Sequence, residues 1–277
     1  MPDHAISAGD VTLALSDDGD GIPVVLLHGL TASRRYVVMG SQALQRGGHR
    51  VVAYDARGHG SSSPAPSPDA YRYEELTADL VAVLDALGIE RAVLAGASMG
   101  AHTALRLALE RPERVAAIAV ITPGYDPVEF DDPQRLARWD ALADALRDGG
   151  IDAFVEAFGL QRLPAAWRDT LATVMRQRLS RHEHLDAVAD ALHAVPRSRP
   201  FADLHALEEI ECPAVVVASR DEADPGHPLA LGEAYAELLP RGRLLVEEPG
   251  SSPLAWQGGR LSKVIAELAT QADLAPL

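Results

Sequence analysis

Four short apolar runs in the first 125 residues constrain the fold of this chain more than any other feature of its sequence. Glycine, proline or charged residues bound the runs, which are residues 24–27, 51–54, 92–97 and 115–121. Runs without polar alternation are typical of strands that are buried on both faces of a parallel sheet. Between the second and third runs, apolar residues recur at helical spacing from Leu76 to Leu87. The alternation predicts an α/β fold with a mostly parallel, doubly wound sheet.

The alternation of strands and helices stops after residue 125. Residues 126–209 have helical periodicity and no convincing strand pattern, and strand character returns at 214–218 and 243–247. We therefore expect an α/β core made of residues 1–125 and 210–277. We expect residues 126–209 to form an all-helical lid, inserted after the sixth strand.

Charge and composition exclude several classes of partner. The 277 residues include 25 Lys and Arg against 40 Asp and Glu, a net charge of −15, which argues against binding nucleic acid or an anionic membrane surface. The longest apolar run is far shorter than the roughly 18 residues that span a bilayer. The N-terminus lacks the basic and apolar regions of a signal peptide, so we expect a cytoplasmic protein. A single cysteine, Cys212, excludes a disulfide framework and a cysteine-based metal site, and we expect no metal.

One motif carries the chemistry of this sequence. Gly96-Ala97-Ser98-Met99-Gly100 follows the predicted strand 92–97 and opens a predicted helix. A Gly-x-Ser-x-Gly motif between a strand and a helix is typical of a nucleophile elbow. The glycines allow a sharp turn that holds the serine in strained backbone geometry. Ser98 is therefore the candidate nucleophile, and the helix N-terminus directs N–H groups toward a developing anion.

A second turn supplies another backbone N–H group that complements those of the helix N-terminus. His28-Gly29-Leu30 ends the run at 24–27. In this position a His-Gly turn exposes the backbone N–H of the next residue. Leu30 and Met99 are therefore the predicted donors of an oxyanion hole. The charged loop 54–61, which follows the next run, is interpreted as a braced loop that does not act on substrate.

These features together resemble the α/β-hydrolase fold family, in particular its lidded serine esterase-like members. The resemblance rests, in chain order, on His-Gly, the Asp-x-Arg-Gly-x-Gly-x-Ser loop, Gly-x-Ser-x-Gly, the helical lid and the last two strands. It implies that Ser98 is the nucleophile and that Leu30 and Met99 hold the oxyanion. It also implies an apolar pocket for a small-molecule substrate between core and lid, with no cofactor. A serine at the elbow speaks against the dehalogenase and epoxide-hydrolase branches, which have aspartate there.

The resemblance also places an acid and a base. The acid is expected after the strand at 214–218, where Asp224 precedes a proline and matches the family best, with Asp221 and Glu222 as alternatives. The base is expected to be a histidine on the loop after the last strand. Pro253 stands at that position, and no histidine follows His227 in the chain.

Two histidines are candidates for the missing base. His227 lies three residues after Asp224 on a loop that we expect to face the active site. His102 lies four residues after Ser98, about one turn along the same helix face. The helix N-terminus would lower the pKa of His102 and keep it neutral.

The function predicted from these residues is hydrolysis by Ser98 with a non-standard base, because a serine hydroxyl needs a base within hydrogen-bond reach. The expected substrate is a small to medium apolar ester, thioester or lactone. One alternative is a lyase, cyclase or isomerase that uses the oxyanion hole to stabilise an enolate. Another is a catalytically impaired module that binds a small ligand.

Overall fold

The computed structural model describes residues 3–222, 224, 226–252, 254–256 and 258–272. Eight strands in this part of the chain form one sheet. They are β1 (Asp3–Ala8), β2 (Val11–Asp18), β3 (Ile22–Leu27), β4 (His49–Tyr54), β5 (Ala92–Ala97), β6 (Val115–Ile121), β7 (Ala214–Ala218) and β8 (Gly242–Val246). Their order across the sheet is β1-β2-β4-β3-β5-β6-β7-β8.

Most of the sheet is parallel, which confirms the predicted fold class. The β1–β2 and β2–β4 pairs are antiparallel, and the remaining neighbours run parallel. The sequence analysis did not predict β1 and β2. In β2, Val11 and Leu13 are buried while Thr12 between them is exposed. Such alternation belongs to an antiparallel strand with one solvated face and gives no continuous apolar run.

Eight α-helices connect and cover the strands within the described residues. They are α1 (Ala43–Arg46), α2 (Tyr73–Ala86), α3 (Met99–Glu110), α4 (Pro133–Phe158), α5 (Ala165–Leu179), α6 (Leu185–Ala194), α7 (Leu229–Leu238) and α8 (Gly259–Ala269). Short 3₁₀ helices lie at Arg34–Tyr36, Pro112–Arg114, Leu160–Arg162, Val195–Arg197 and Leu204–Glu209. In the part of the chain that the structure describes, no helix has the length and apolar character needed to cross a membrane.

The two faces of the sheet are covered by different helices, as alternate residues of β3 show. Val25 and Leu27 belong to the core formed with α2, α3 and α7. Val24 and Leu26 belong to the core formed with α1 and α8. Because both faces are buried, the central parallel strands β3, β5, β6 and β7 are apolar along almost their whole length, and this is why they were visible in the sequence.

Between β6 and β7 the described chain contains α4, α5 and α6 and no strand, as predicted. We call residues 126–209 the helical insert. Within α4, Gly150 has a φ of 69°, which kinks the helix. One apolar cluster contains Leu30 and Met99 of the sheet layer together with Phe154 and Val188 of the helical insert. The helical insert therefore packs directly over the ends of β3 and β5. Its division from the core as a separate domain stays a prediction.

Candidate active site

Ser98 lies between the end of β5 and the start of α3 in strained backbone geometry, with φ 47° and ψ −110°. Its N–H donates to the carbonyl of Ile121 on the neighbouring strand, at 2.9 Å. A Cβ on Gly96 would lie 2.3 Å from the backbone of Gly100, and one on Gly100 would lie 2.4 Å from the carbonyl oxygen of Leu27. Neither position has room for any other residue, so both glycines of the motif are required by the turn.

The structure brings His227 to Ser98. Oγ of Ser98 is 3.0 Å from Nε2 of His227, and Nδ1 of His227 is 2.9 Å from Oδ2 of Asp224. In the tautomer that satisfies both contacts, Nδ1–H donates to the carboxylate and Nε2 accepts from the serine hydroxyl. Hydroxyl, imidazole and carboxylate thus form one hydrogen-bonded chain. The side chains of His227 and Asp224 are 27% and 32% exposed, so a small molecule can reach these hydrogen-bonded side chains.

The charges of His227 and Asp224 stabilise each other. Burial lowers the pKa of His227, but the charge and hydrogen bond of Asp224 outweigh it, and the net pKa is raised above the usual imidazole value. Burial raises the pKa of Asp224, but His227, the N–H of Gly226 and the charge of Arg178 together hold it below the usual carboxyl value. Asp224 is therefore ionised at neutral pH and oriented toward the imidazole.

Both members of the acid–base pair lie on the segment between β7 and α7. The N–H of Asp224 donates to the carbonyl of Arg220, and the N–H of His227 donates to the carbonyl of Asp224. Asp221 accepts from the N–H of Leu229 at the start of α7, and Glu222 is exposed. Of the three acidic residues proposed here, the structure places Asp224 against a histidine.

His102 is placed differently from His227. It is buried, and its Nε2 accepts from the N–H groups of Gly124 and Tyr125 at 3.1 and 3.2 Å, while Nδ1 lies 2.9 Å from the hydroxyl of Tyr73. Burial, together with the charge of His227, lowers the pKa of His102 to about 3. Both ring nitrogens of His102 already make hydrogen bonds to other residues, so this side chain positions the loop after β6.

That loop makes room for the imidazole of His227. A Cβ on Gly124 would lie 2.9 Å from Cδ2 and 3.4 Å from Nε2 of His227. Sequence reasoning missed Gly124. The available signal was a glycine just after a buried strand, because the carboxyl ends of parallel strands meet at the ligand-binding edge of an α/β sheet.

The two predicted oxyanion donors lie beside Ser98. Met99 is the first residue of α3, whose leading N–H groups have no partner inside the helix. A Cβ on Gly29 would lie 3.6 Å from Cβ of Ser98, so the turn that carries Leu30 lies beside Ser98. The carbonyl of Leu30 is held by Nε2 of His59 at 2.8 Å.

The position where the family has its histidine, Pro253, lies outside the described residues. Trp256, three residues further on, is linked through hydrogen bonds to the segment that carries Asp224. Nε1 of Trp256 donates to Oε2 of Glu247 at 2.8 Å and to the carbonyl of Ala218 at 3.1 Å. Oε1 of Glu247 accepts from the N–H of Arg220 at 2.7 Å. Glu247 therefore fixes the start of the segment that carries Asp224.

Among the described residues, no group of three or more His, Cys, Asp or Glu side chains could hold a metal ion.

A model of the alpha/beta hydrolase fold matches residues 22–251, a range that includes Ser98, Asp224 and His227. The chain belongs to the α/β-hydrolase fold family. The resemblance inferred from the motifs is thereby confirmed, together with the fold class.

Relatives of this α/β hydrolase carry the names of hydrolases. The chain is 31% identical over 244 residues to the "Putative carbamate hydrolase RutD" of Pseudomonas savastanoi pv. phaseolicola, covering 84% of this chain and 90% of that protein. It is 31% identical over 219 residues to 2-hydroxy-6-oxononadienedioate/2-hydroxy-6-oxononatrienedioate hydrolase 2 of Pseudomonas putida, covering 77% and 76%.

A solved structure gives the same result in three dimensions. The structure of Est816, described as an N-acyl homoserine lactone degrading enzyme, superposes with a TM-score of 0.74 at 27% identity, covering 96% of this chain and 99% of that one. These similarities support an enzyme of the α/β-hydrolase family.

Proposed function

We propose that this α/β hydrolase cleaves a small to medium apolar ester, thioester or lactone, with Ser98 as nucleophile and His227 as its base. The observation that carries the proposal is the pair of contacts at His227, 3.0 Å to Ser98 Oγ and 2.9 Å to Asp224 Oδ2. A base within hydrogen-bond reach of the hydroxyl, oriented in turn by a carboxylate, is what nucleophilic acyl transfer requires. The likeness to Est816 supports the inclusion of lactones.

In the first half-reaction, Ser98 Oγ forms a bond to the carbonyl carbon as its proton passes to Nε2 of His227. The charge that develops on the carbonyl oxygen is held by the N–H groups of Leu30 and Met99. Ionised Asp224 stabilises the imidazolium and keeps the imidazole in the required tautomer. His227 then returns the proton to the leaving oxygen or sulfur, and the bond between that atom and the acyl carbon breaks.

In the second half-reaction, water attacks the acyl group on Ser98. His227 accepts a proton from the water and gives it to Ser98 Oγ, so the carboxylic acid is released and the free hydroxyl is restored. The same imidazole serves both steps. Loss of His227 should therefore slow acylation and deacylation together.

The non-standard feature of this site is the location of the base. Asp224 and His227 are three residues apart on one segment, whereas the family resemblance places the histidine after β8. The two alternative functions, an enzyme that forms an enolate and a module that binds a small ligand, were favoured by the apparent lack of a base for Ser98. An imidazole at hydrogen-bond distance from Ser98 weakens both alternatives.

The experiment is rapid-mixing hydrolysis of 4-nitrophenyl butyrate by the native protein and by the Ser98→Ala and His227→Gln variants. We expect steady turnover by the native protein and a loss of at least about 1,000-fold in kcat/KM in each variant. The matched control is His205→Gln, because the side chain of His205 is 81% exposed and contacts no residue of the site. It should retain native activity.

Two results would contradict the proposal. Turnover that survives Ser98→Ala would exclude Ser98 as the nucleophile. A stoichiometric burst of nitrophenol without turnover in the native protein would mean that His227 does not serve as the base for deacylation.

A further inference from the structure

Arg178, on α5 of the helical insert, is a half-buried cation that makes no ion-pair contact with a carboxylate of the described residues, although the charge of Asp224 acts on it. Its Nε is buried and has no hydrogen-bond partner. Within the described residues, its guanidinium makes no hydrogen bond or ion pair, and it lies over the ring of Tyr36 with Cζ 5.6 Å from the ring centroid. Burial lowers the pKa of Arg178. Leaving a cation partly desolvated and unpaired costs free energy, so such a group calls for an explanation.

Other arginines on α5 have partners. Arg176 pairs with Asp152 at 2.8 Å and its side chain is 50% exposed. Arg168 donates to the carbonyls of Leu163 and Gln161 at 2.9 and 2.8 Å. Arg178 differs because its Nε is buried without a hydrogen-bond partner.

Leu179, next to Arg178 on α5, belongs to the same apolar cluster as Leu30 and Met99, so this end of α5 packs into the layer that covers the predicted oxyanion donors. Arg178 also acts on the proposed acid–base pair. Its positive charge contributes to lowering the pKa of both Asp224 and His227. Such an influence falls off steeply with distance. Asp224 nevertheless does not pair with it, because the polar contacts of that carboxylate go to His227 and the N–H of Gly226.

The ring beneath Arg178 belongs to Tyr36, on the segment that follows the oxyanion turn. Tyr36 lies six residues after Leu30, and its hydroxyl donates to the carbonyl of Gln177 at 2.9 Å. This bond fastens α5 to the segment that follows the predicted donor. The guanidinium that lies over Tyr36 therefore also acts, through its charge, on Asp224 and His227.

We propose that Arg178 is a specificity-determining residue that receives a carboxylate carried by the substrate, in addition to the ester or lactone carbonyl attacked by Ser98. This rests on the proposed function and names its substrate class more closely. A guanidinium binds a carboxylate through paired N–H donors, and the substrate would supply the hydrogen-bonded carboxylate that Arg178 does not find among the described residues. The protein as a whole has a net charge of −15, so an anionic substrate needs a local cation at the site.

The test compares charged esters with neutral esters of the same size. One charged ester is the 4-nitrophenyl monoester of glutaric acid, with the carboxylate on the acyl side. The other is 5-butyryloxy-2-nitrobenzoate, with the carboxylate on the leaving group. The methyl ester of each is its neutral counterpart. We expect Arg178→Gln to lower kcat/KM for at least one charged ester by about 10- to 100-fold and to change both neutral esters by less than about threefold.

The matched control is Arg176→Gln, the same substitution two residues away on the same helix, which should change neither ratio. Arg178→Lys keeps the charge and should restore part of the preference for the charged ester. An equal loss on charged and neutral esters would mean that Arg178 acts on the pKa of Asp224 and His227 or on folding. No loss on either charged ester would also overturn the proposal.

A binding measurement separates this proposal from the proposed function. Titration calorimetry of glutarate into Ser98→Ala, with and without Arg178→Gln, needs no turnover. Glutarate should bind only where Arg178 is present. If native protein cleaves none of the esters but glutarate binding depends on Arg178, hydrolysis fails as the function while the carboxylate site stands. If glutarate binds equally to both proteins or to neither, the carboxylate site fails.

Discussion

Gly124 lies so close to His227 that a Cβ on it would stand 2.9 Å from Cδ2 of the imidazole. The φ angle of Gly124 is not in the positive range, so alanine is acceptable to the backbone there. The constraint at this position is the space that the imidazole occupies.

Gly124→Ala should therefore displace the imidazole of His227 from Ser98 without unfolding the protein. We expect kcat for 4-nitrophenyl butyrate to fall by about 10- to 100-fold, because small displacements of a reacting group are costly. The melting temperature should change little, since an imidazole can move aside. The control is Gly259→Ala, where a Cβ meets nothing within 4 Å. Equal activity in the two variants would remove Gly124 from any role in placing the base.

The pH dependence of activity should reveal the coupling of His227 to Asp224. His227 must be neutral to accept the serine proton, and its pKa is raised because Asp224 outweighs the effect of burial. The profile of kcat/KM should therefore rise with pH, with a midpoint above the ordinary imidazole value of about 6.5. Asp224→Asn removes the negative charge and should move the midpoint down.

The titration can also be observed without turnover. The NMR signal of the His227 imidazole in Ser98→Ala should titrate above the ordinary value and shift down when Asp224→Asn is added. The exposed His205 is the internal reference and should not respond to Asp224→Asn. An unchanged midpoint for His227 would mean that the contact at 2.9 Å carries no charge coupling in solution.

The parts of this molecule that were predictable are those where local sequence determines structure. The central parallel strands β3, β5, β6 and β7 were visible because both of their faces are buried, and the elbow was visible because Gly96 and Gly100 have no room for a side chain. The hairpin of β1 and β2 was missed because its burial alternates with exposure.

The candidate site was only partly predictable, for a physical reason. Whether a loop histidine reaches Ser98 depends on the path of the segment after β7, which is fixed by distant contacts such as Arg220 with Glu247. Sequence spacing therefore left His227 and His102 as equal candidates. Whether Arg178 finds a carboxylate to contact among the described residues depends on which carboxylates the fold brings near it, and no local pattern contains that information.

The strained backbone of Ser98 predicts an unusual effect on stability. With φ 47° and ψ −110°, both serine and alanine are strained, whereas glycine adopts this conformation freely. Ser98→Gly and Ser98→Ala should both be inactive, but Ser98→Gly should have the higher free energy of unfolding, by about 1 kcal/mol after its larger unfolded-state entropy is subtracted.

Denaturant unfolding of the two variants measures this difference. The same pair of substitutions at Ser180, where φ is −67°, provides the control, and there alanine should be the more stable residue. If alanine is also more stable than glycine at position 98, the elbow stores no strain in solution.

The charged loop after β4, which was interpreted as a brace, contains a buried ion pair. Arg57 donates to both carboxylate oxygens of Asp79 at 2.8 Å, and both residues are buried. Asp79→Asn would remove the buried carboxylate that pairs with Arg57 and leave it the half-exposed Asp10 at 3.8 Å, so it should lower the free energy of unfolding by about 3 kcal/mol.

Removing both charges should be milder than removing one. The double variant Arg57→Met with Asp79→Leu should recover most of the lost stability, because neither side chain then carries a buried charge. The control is Asp152→Asn, which breaks the exposed pair with Arg176 and should cost less than about 1 kcal/mol. All variants are compared by denaturant unfolding. If Asp79→Asn is as mild as Asp152→Asn, then the pair does not brace the loop, and the interpretation of these charges is wrong.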